Sequence, residues 1–318
     1  MANASVKLKQ MTEIKRLPVP PSLAGERVDA ALAKMMGLSR SVVAELAESG
    51  LVTMDGRVVG KSERVQADSW AEVQLPEPTT PLAVIAVEVP ALKVVYQDDD
   101  LVVIDKPAGV AAHPSVGWEG PTVLGVLKAR GIPVTTSGAS ERQGIVQRLD
   151  VGTSGLMMVA KTEVAYSRLK QMFRDRKVHK VYHAIVQGHP DPFEGTIDAP
   201  IGRHPRAEFK FAVMNEGKPS ITHYKLVEAF PAASLVEIVL ETGRTHQIRV
   251  HFSAFKHPLI GDTMYGADPK LAAKLGLERQ WLHAMKLSFV HPMTDGLVEF
   301  ESTYPEDLGA VLEQLRQV

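Results

Sequence analysis

Gly144-Ile145-Val146-Gln147-Arg148-Leu149-Asp150-Val151-Gly152-Thr153-Ser154-Gly155-Leu156 is the densest cluster of unusual residues in the chain. An extended Ile145-Val146 leads into Arg148-Leu149-Asp150, a polar, glycine-containing loop follows, and the apolar run Leu156 to Ala160 reads as a strand. Asp150 therefore falls on a loop pinned between two buried segments. Catalytic groups favour such places, because a rigid scaffold there holds an exposed backbone. Taken alone, an aspartate in a Gly/Thr/Ser loop is more often the cap of an Asx-turn. Two other readings fail on spacing. Gly152-Thr153-Ser154-Gly155 has its second glycine one residue too early for a nucleophile elbow. Gly56 to Ser62 has three residues between its glycines, where a phosphate loop needs four, and lies on a hairpin.

Further along, Glu241-Thr242-Gly243-Arg244-Thr245-His246-Gln247-Ile248-Arg249 reads as a strand end, a tight turn at Gly243 and a helix starting near Thr245. On that helix His246 and Arg249 share a face. A guanidinium there can hold a carboxylate in fork geometry, charged and aimed. Lys180-Val181-Tyr182-His183-Ala184-Ile185-Val186 is a strand that follows a basic stretch containing Arg168, Lys170, Arg174 and Lys177. Arg174 and Lys180 are read as part of a phosphate track, against the alternative of a plain solvated helix face.

Taken whole, Arg148-Leu149-Asp150-x-x-Thr153-Ser154-Gly155-Leu156 resembles the catalytic motif of the RluA/RluD-type RNA pseudouridine synthases of large-subunit ribosomal RNA. The strands and turns around Tyr182 and Arg249 resemble that family's second and third motifs, in the same order. Val103 to Gly109 and His257 to Asp262 resemble further segments, so the likeness spans roughly residues 91 to 305. It implies that Asp150 is the catalytic residue, with Tyr182 beside it and Arg249 as its basic partner. It also implies that Arg148 either fills the space left by a base flipped out of its stack or grips a phosphate. Arg148, Arg244, His246, Gln247 and Lys106 are expected RNA contacts. One departure is visible: Gln147 stands where the family usually has histidine before the arginine.

The implied reaction breaks a glycosidic C–N bond, rotates the uracil and joins its C5 to the sugar. Nothing is oxidised and no group is imported, so no cofactor is expected. No metal is expected either. His179 and His183, four apart on a strand at ~3.3 Å per residue, stand ~13 Å apart, and no His-Glu-x-x-His occurs.

The 318 residues suit one large domain and a small one. Residues 1–18 read as a flexible tail, 19–78 as a small helix-helix-hairpin domain, 79–90 as a proline-rich linker and 91–318 as the catalytic domain. The small domain has helices over Asp29–Met36 and Ser39–Glu48, with Ser39 as N-cap. A hairpin turns at Asp55-Gly56, and a last strand spans Trp70–Leu75. It resembles the S4 RNA-binding module, with Arg40, Arg57 and Lys61 as expected contacts. Its six Lys/Arg against nine Asp/Glu leave a net −3, so contact would need a local basic stripe. The larger part mixes helices and strands without regular alternation, which predicts an α+β domain with a mixed, largely antiparallel sheet.

Net charge is −1, so composition alone does not point to nucleic acid. Cysteine is absent, which excludes disulfides and thiolate metal sites. No stretch has the length of a signal peptide or membrane span. A cytoplasmic monomer is expected, acting on large-subunit ribosomal RNA, free or within a pre-ribosomal particle. The rival reading is a non-catalytic S4-type RNA-binding ribosome-assembly factor.

Overall fold

The computed structural model describes residues 11–38, 40–76, 82–207 and 209–317. Ser39 and the first ten residues of the expected tail lie outside them. The chain divides into two compact units, Met1–Thr80 and Pro81–Val318.

The first unit contains β1 (Met11–Pro18), α1 (Val28–Met36), α2 (Arg40–Glu48), β2 (Val52–Met54), β3 (Arg57–Val58) and β4 (Trp70–Pro76). Its sheet runs β1-β4-β2-β3. Val28, Ala31 and Leu32 of α1 recur at helical spacing and are buried with Val43, Leu46 and Ala47 of α2 against Val52, Ala71 and Val73. Gly37 ends α1 at φ 66°, a left-handed position that glycine fills without strain. Asp55 (φ 49°) and Gly56 (φ 80°) are both left-handed. That is the two-residue hairpin turn that Asp-Gly favours, and it joins β2 to β3. The tail expected through residue 18 is corrected here, because Met11–Pro18 forms β1 along the whole of β4. Its charged, irregular sequence is that of a sheet-edge strand.

The second unit contains β5 (Lys93–Gln97), β6 (Leu101–Lys106), α3 (Val123–Ala129), β7 (Ser154–Ala160), α4 (Glu163–Arg174), β8 (His179–Gln187), β9 (Glu194–Asp198) and β10 (Ile201–Arg203). It continues with β11 (Phe211–Val213), β12 (Ile221–Phe230), β13 (Ala233–Leu240), α5 (Gln247–Ala254), α6 (Pro269–Lys274), β14 (Leu282–Val290), β15 (Leu297–Glu301) and α7 (Glu306–Arg316). The main sheet runs β5-β6-β7-β14-β8-β13-β12-β9, with β15 also on β14. Among the described residues, only the β7–β14 pair of this sheet is parallel, so the sheet is mixed and largely antiparallel. Every residue of β7 is buried, because both sheet faces are covered. Val102, Ile104, Met157 and Val159 face the cluster that holds α3 and Phe252 of α5. Leu101, Val103, Leu156 and Met158 face Ala165 and Leu169 of α4.

Two local expectations change. Ile145-Val146 makes a single bridge, Ile145 to Val159, instead of a strand. Of the expected linker, residues 82–90 pack onto α3. Val87 N donates to Gly125 O at 3.3 Å, and Arg130 Nη1 and Nη2 donate to Leu92 O (2.7 Å) and Val89 O (3.0 Å). A proline-rich composition predicts a stiff linker, but the apolar Val84 and Val89 pack against the core.

The parallel junction of β7 and β14 depends on Gly155. A Cβ there would stand 2.3 Å from Ala284 O, at φ +112°. Beside it His283 is buried, its ring nitrogens 2.9 Å from Ser154 Oγ and 3.0 Å from Ser302 Oγ. Burial pulls the imidazole down to about 4, helped by nearby Arg279. The unfolded chain therefore binds the extra proton between about pH 6.5 and 4, and stability falls as pH falls through that window. Urea unfolding is expected to show this histidine costing about 2 kcal/mol between pH 7 and 5. His283→Gln should flatten that slope, and an unchanged slope in the variant would contradict the assignment.

Candidate active site

Asp150 sits on a loop whose backbone is tied down. Thr153 N donates to Asp150 O at 3.0 Å, and Gly109 N donates to Val151 O at 2.9 Å. Under the loop, Lys106 has no solvent exposure. Its Nζ donates to Val110 O (2.8 Å), Pro107 O (2.9 Å) and, at longer range, Val151 O (3.4 Å). Burial draws this lysine down to about 7, against the pull of the Asp150 and Asp105 carboxylates. Lys106 was expected to contact RNA. The structure corrects this: its Nζ ties the turn after β6 to the Asp150 loop and cannot reach a ligand.

Arg249, on the first turns of α5, is buried between two carboxylates. Its Nε and Nη2 donate to Asp262 Oδ2 and Oδ1 at 2.6 and 3.0 Å, and Nη1 donates to Asp150 Oδ2 at 3.1 Å. The guanidinium also lies over the Tyr265 ring, 4.9 Å from its centroid. Burial opposes its charge, but the two carboxylates outweigh burial and raise its pKa. The fork is thus spent on Asp262, which leaves one N–H aimed at Asp150.

His246 precedes α5 in a left-handed conformation, φ 56°, which is uncommon for a non-glycine residue. Its Nδ1 lies 2.7 Å from Tyr265 Oη and its Nε2 lies 3.8 Å from Asp150 Oδ2. Burial lowers its pKa, with Asp150 opposing and Arg249 reinforcing. Tyr182 is buried on β8 and lines a small pocket of ≈ 70 Å³ beside Asp150, with Leu240, Ile248 and Leu282. Burial, then Asp150, pushes its phenol well above the ordinary range, so the hydroxyl keeps its proton at neutral pH.

Asp150 opens onto a cleft of ≈ 870 Å³ whose walls carry Arg148, Arg244, His246, Arg142, Tyr166 and Lys170. Of the expected RNA contacts, Arg148, Arg244 and His246 are therefore at the cleft. Others are not. Gln247 is buried and fully bonded: its Nε2 donates to Ile221 O and Thr222 Oγ1, both at 3.0 Å, and its Oε1 accepts from Thr242 Oγ1 and Arg244 N at 2.8 and 3.0 Å. It shapes the turn before α5 instead of touching a ligand. Lys180 is buried over the Phe173 ring, and burial lowers it to about 8. Arg174 donates to Gln171 Oε1 at 2.7 Å on the exposed face of α4. In the first unit Arg40 pairs with Asp29 (3.2 Å), Arg57 with Glu63 (2.7 Å) and Lys61 with Glu48.

Asp262 carries no assigned role in the sequence reading, although its segment stood out there. Its partnership with Arg249 predicts that Asp262→Ala leaves a buried charge half-compensated. The expected loss is about 3 kcal/mol of stability by chemical denaturation, along with a fall in activity. A variant as stable as the parent would contradict this.

The RNA pseudouridylate synthase family profile matches residues 100–254. An uncharacterized RNA pseudouridine synthase of Mycobacterium bovis is 57% identical over 302 residues, covering 95% of this chain and 98% of that protein. The ribosomal large subunit pseudouridine synthase D of Xanthomonas campestris is 39% identical over 316 residues, covering 96% and 94%. Among solved structures, human RNA pseudouridylate synthase domain containing 1 superposes with a TM-score of 0.56 at 28% identity, covering 75% of this chain and 96% of that one. Matched at 57% identity along almost the whole of its length by one such synthase, this chain belongs to the RNA pseudouridine synthase family.

Proposed function

We propose that this synthase converts uridine to pseudouridine in large-subunit ribosomal RNA, with Asp150 as the reacting carboxylate. The observation that carries the reading is the Asp150–Arg249–Asp262 arrangement at the floor of a cleft with basic walls. The substrate follows from relatives named ribosomal large subunit pseudouridine synthase D, 39–40% identical over most of the chain. All the groups invoked come from one chain, so a monomer suffices. Free RNA or a pre-ribosomal particle in the cytoplasm is the setting we infer.

The C1′–N1 bond breaks, the freed uracil turns, and C1′–C5 forms; the C5 proton passes to water and N1 takes one from water, so the product is an isomer of the substrate. Asp150 supplies the electron pair, either at C1′ as nucleophile or on the C2′ hydrogen as base. Arg249 donates to one Asp150 oxygen and leaves the other for the sugar. The uridine must leave its stack to reach this depth, which costs least in loops and bulges. Exposed Arg148, two residues before Asp150, stands at the cleft wall to fill the vacated space or grip a phosphate. Tyr182 keeps its proton, so its role is an apolar ring for the uracil to pack on, in preference to a base for the C5 proton.

The test is tritium release from large-subunit ribosomal RNA labelled at uridine C5, with transfer RNA in parallel. Wild type is expected to release tritium from the ribosomal RNA, and Asp150→Asn at least about a hundredfold more slowly, with RNA affinity nearly unchanged. Release from transfer RNA alone would remove the substrate assignment. RNA binding without release by wild type would favour the assembly-factor reading.

A further inference from the structure

The Asp150 loop offers three consecutive carbonyls. Thr153 N takes that of Asp150, and Gly109 N takes that of Val151. The third, Gly152 O, accepts from Arg279 Nη1 at 3.0 Å, across 127 residues of chain. Arg279 is itself clamped: its Nε and Nη2 donate to Asp307 Oδ2 and Oδ1, at 2.6 and 2.9 Å, in the first turn of α7. Its side chain is only 12% exposed.

The residues that follow grip the same loop. Gln280 is buried and its Nε2 lies 3.2 Å from Thr153 Oγ1. Gly152 has no Cβ to spare, since one would stand 2.6 Å from Gln280 Oε1. The opposite side of this segment meets the other half of the ion-paired site. Trp281 N donates to Ile260 O at 2.8 Å, and a Cβ on Gly261 would stand 2.0 Å from Arg279 O. Gly261 adjoins Asp262, which holds Arg249. Trp281 Nε1 in turn donates to Leu308 O of α7 at 3.0 Å. Residues 279–281 therefore touch both the loop that carries Asp150 and the loop that carries the anchor of Arg249, and α7 fixes them from behind.

We propose that Arg279 is a positioning residue: tied to α7 through Asp307, it sets the distance and angle between Asp150 and Arg249. It lies behind the loop, on the backbone of Gly152, so it acts through Asp150 and not on the RNA. An arginine is required because one N–H pair must hold the carboxylate while another reaches the carbonyl, and a lysine cannot do both in fixed geometry. The inference rests on Asp150 being the reacting group.

Steady-state kinetics on large-subunit ribosomal RNA tests it, with Asp150→Asn as reference. Misplacing a reacting group by about 1 Å costs about a hundredfold. Arg279→Met is therefore expected to lower kcat about 30- to 100-fold, with KM within about twofold of wild type. Arg279→Lys should recover about tenfold of that loss. Asp307→Asn changes a half-exposed carboxylate and leaves Arg279 in place. It should lower kcat about three- to tenfold at unchanged KM, and it carries the test if Arg279→Met does not fold. A kcat within twofold of wild type in folded Arg279→Met, or in Asp307→Asn where Arg279→Met does not fold, overturns the proposal. So does a raised KM at unchanged kcat, which would make Arg279 an RNA contact. An active Asp150→Asn would instead sink the reading on which the proposal rests.

Discussion

A buried guanidinium with two carboxylates around it is the constraint on which the site depends. An unpaired charge inside a protein is too costly to keep, so Arg249 must have Asp262, and the geometry of that pair leaves one N–H for Asp150. Much of the second unit can be understood as scaffolding for this triangle. α5 brings the arginine, the turn after Leu259 brings Asp262, and the entry to β7 brings Asp150. Three separate segments must then be held to within fractions of an ångström. The parallel β7–β14 junction, the buried Lys106 and the residues before β14 all converge on that requirement.

The same organisation separates polar groups that hold the site from those that face a ligand. Gln247, Lys106 and Lys180 are polar residues in or near recognisable motifs, yet their atoms are taken up inside the protein. Arg148, Arg244 and Lys170 remain at the cleft wall. A net charge of −1 is no obstacle to binding a polyanion when several cations line one opening.

What the sequence made legible was local or patterned. The unbroken apolar run of β7, the Asp-Gly turn and the amphipathic stripe of α4 announce themselves within ten residues. Asp150, Tyr182 and Arg249 could be picked out because long strings around them resembled known motifs. β1 was illegible because its strand character comes from pairing with β4, some sixty residues away, and not from alternation. The burial of Lys106 was hidden because a lysine ending an apolar strand gives no sign of which way its stem runs. Asp262 and Arg279 were missed for a related reason. Their meaning lies in a partner 13 residues off in one case and 127 in the other, and only the fold brings those together.

β1 also bears on how the first unit behaves in solution. Along its length β1 covers one side of β4, whose Val73 and Ala71 are fully buried. Were the first eighteen residues trimmed as a dispensable leader, β4 would become an edge with open N–H and C=O groups beside an apolar core. Such an edge recruits a strand from a second molecule. Residues 11–18, which look expendable in the sequence, thus put a charged strand, and not β4, at the edge of the sheet.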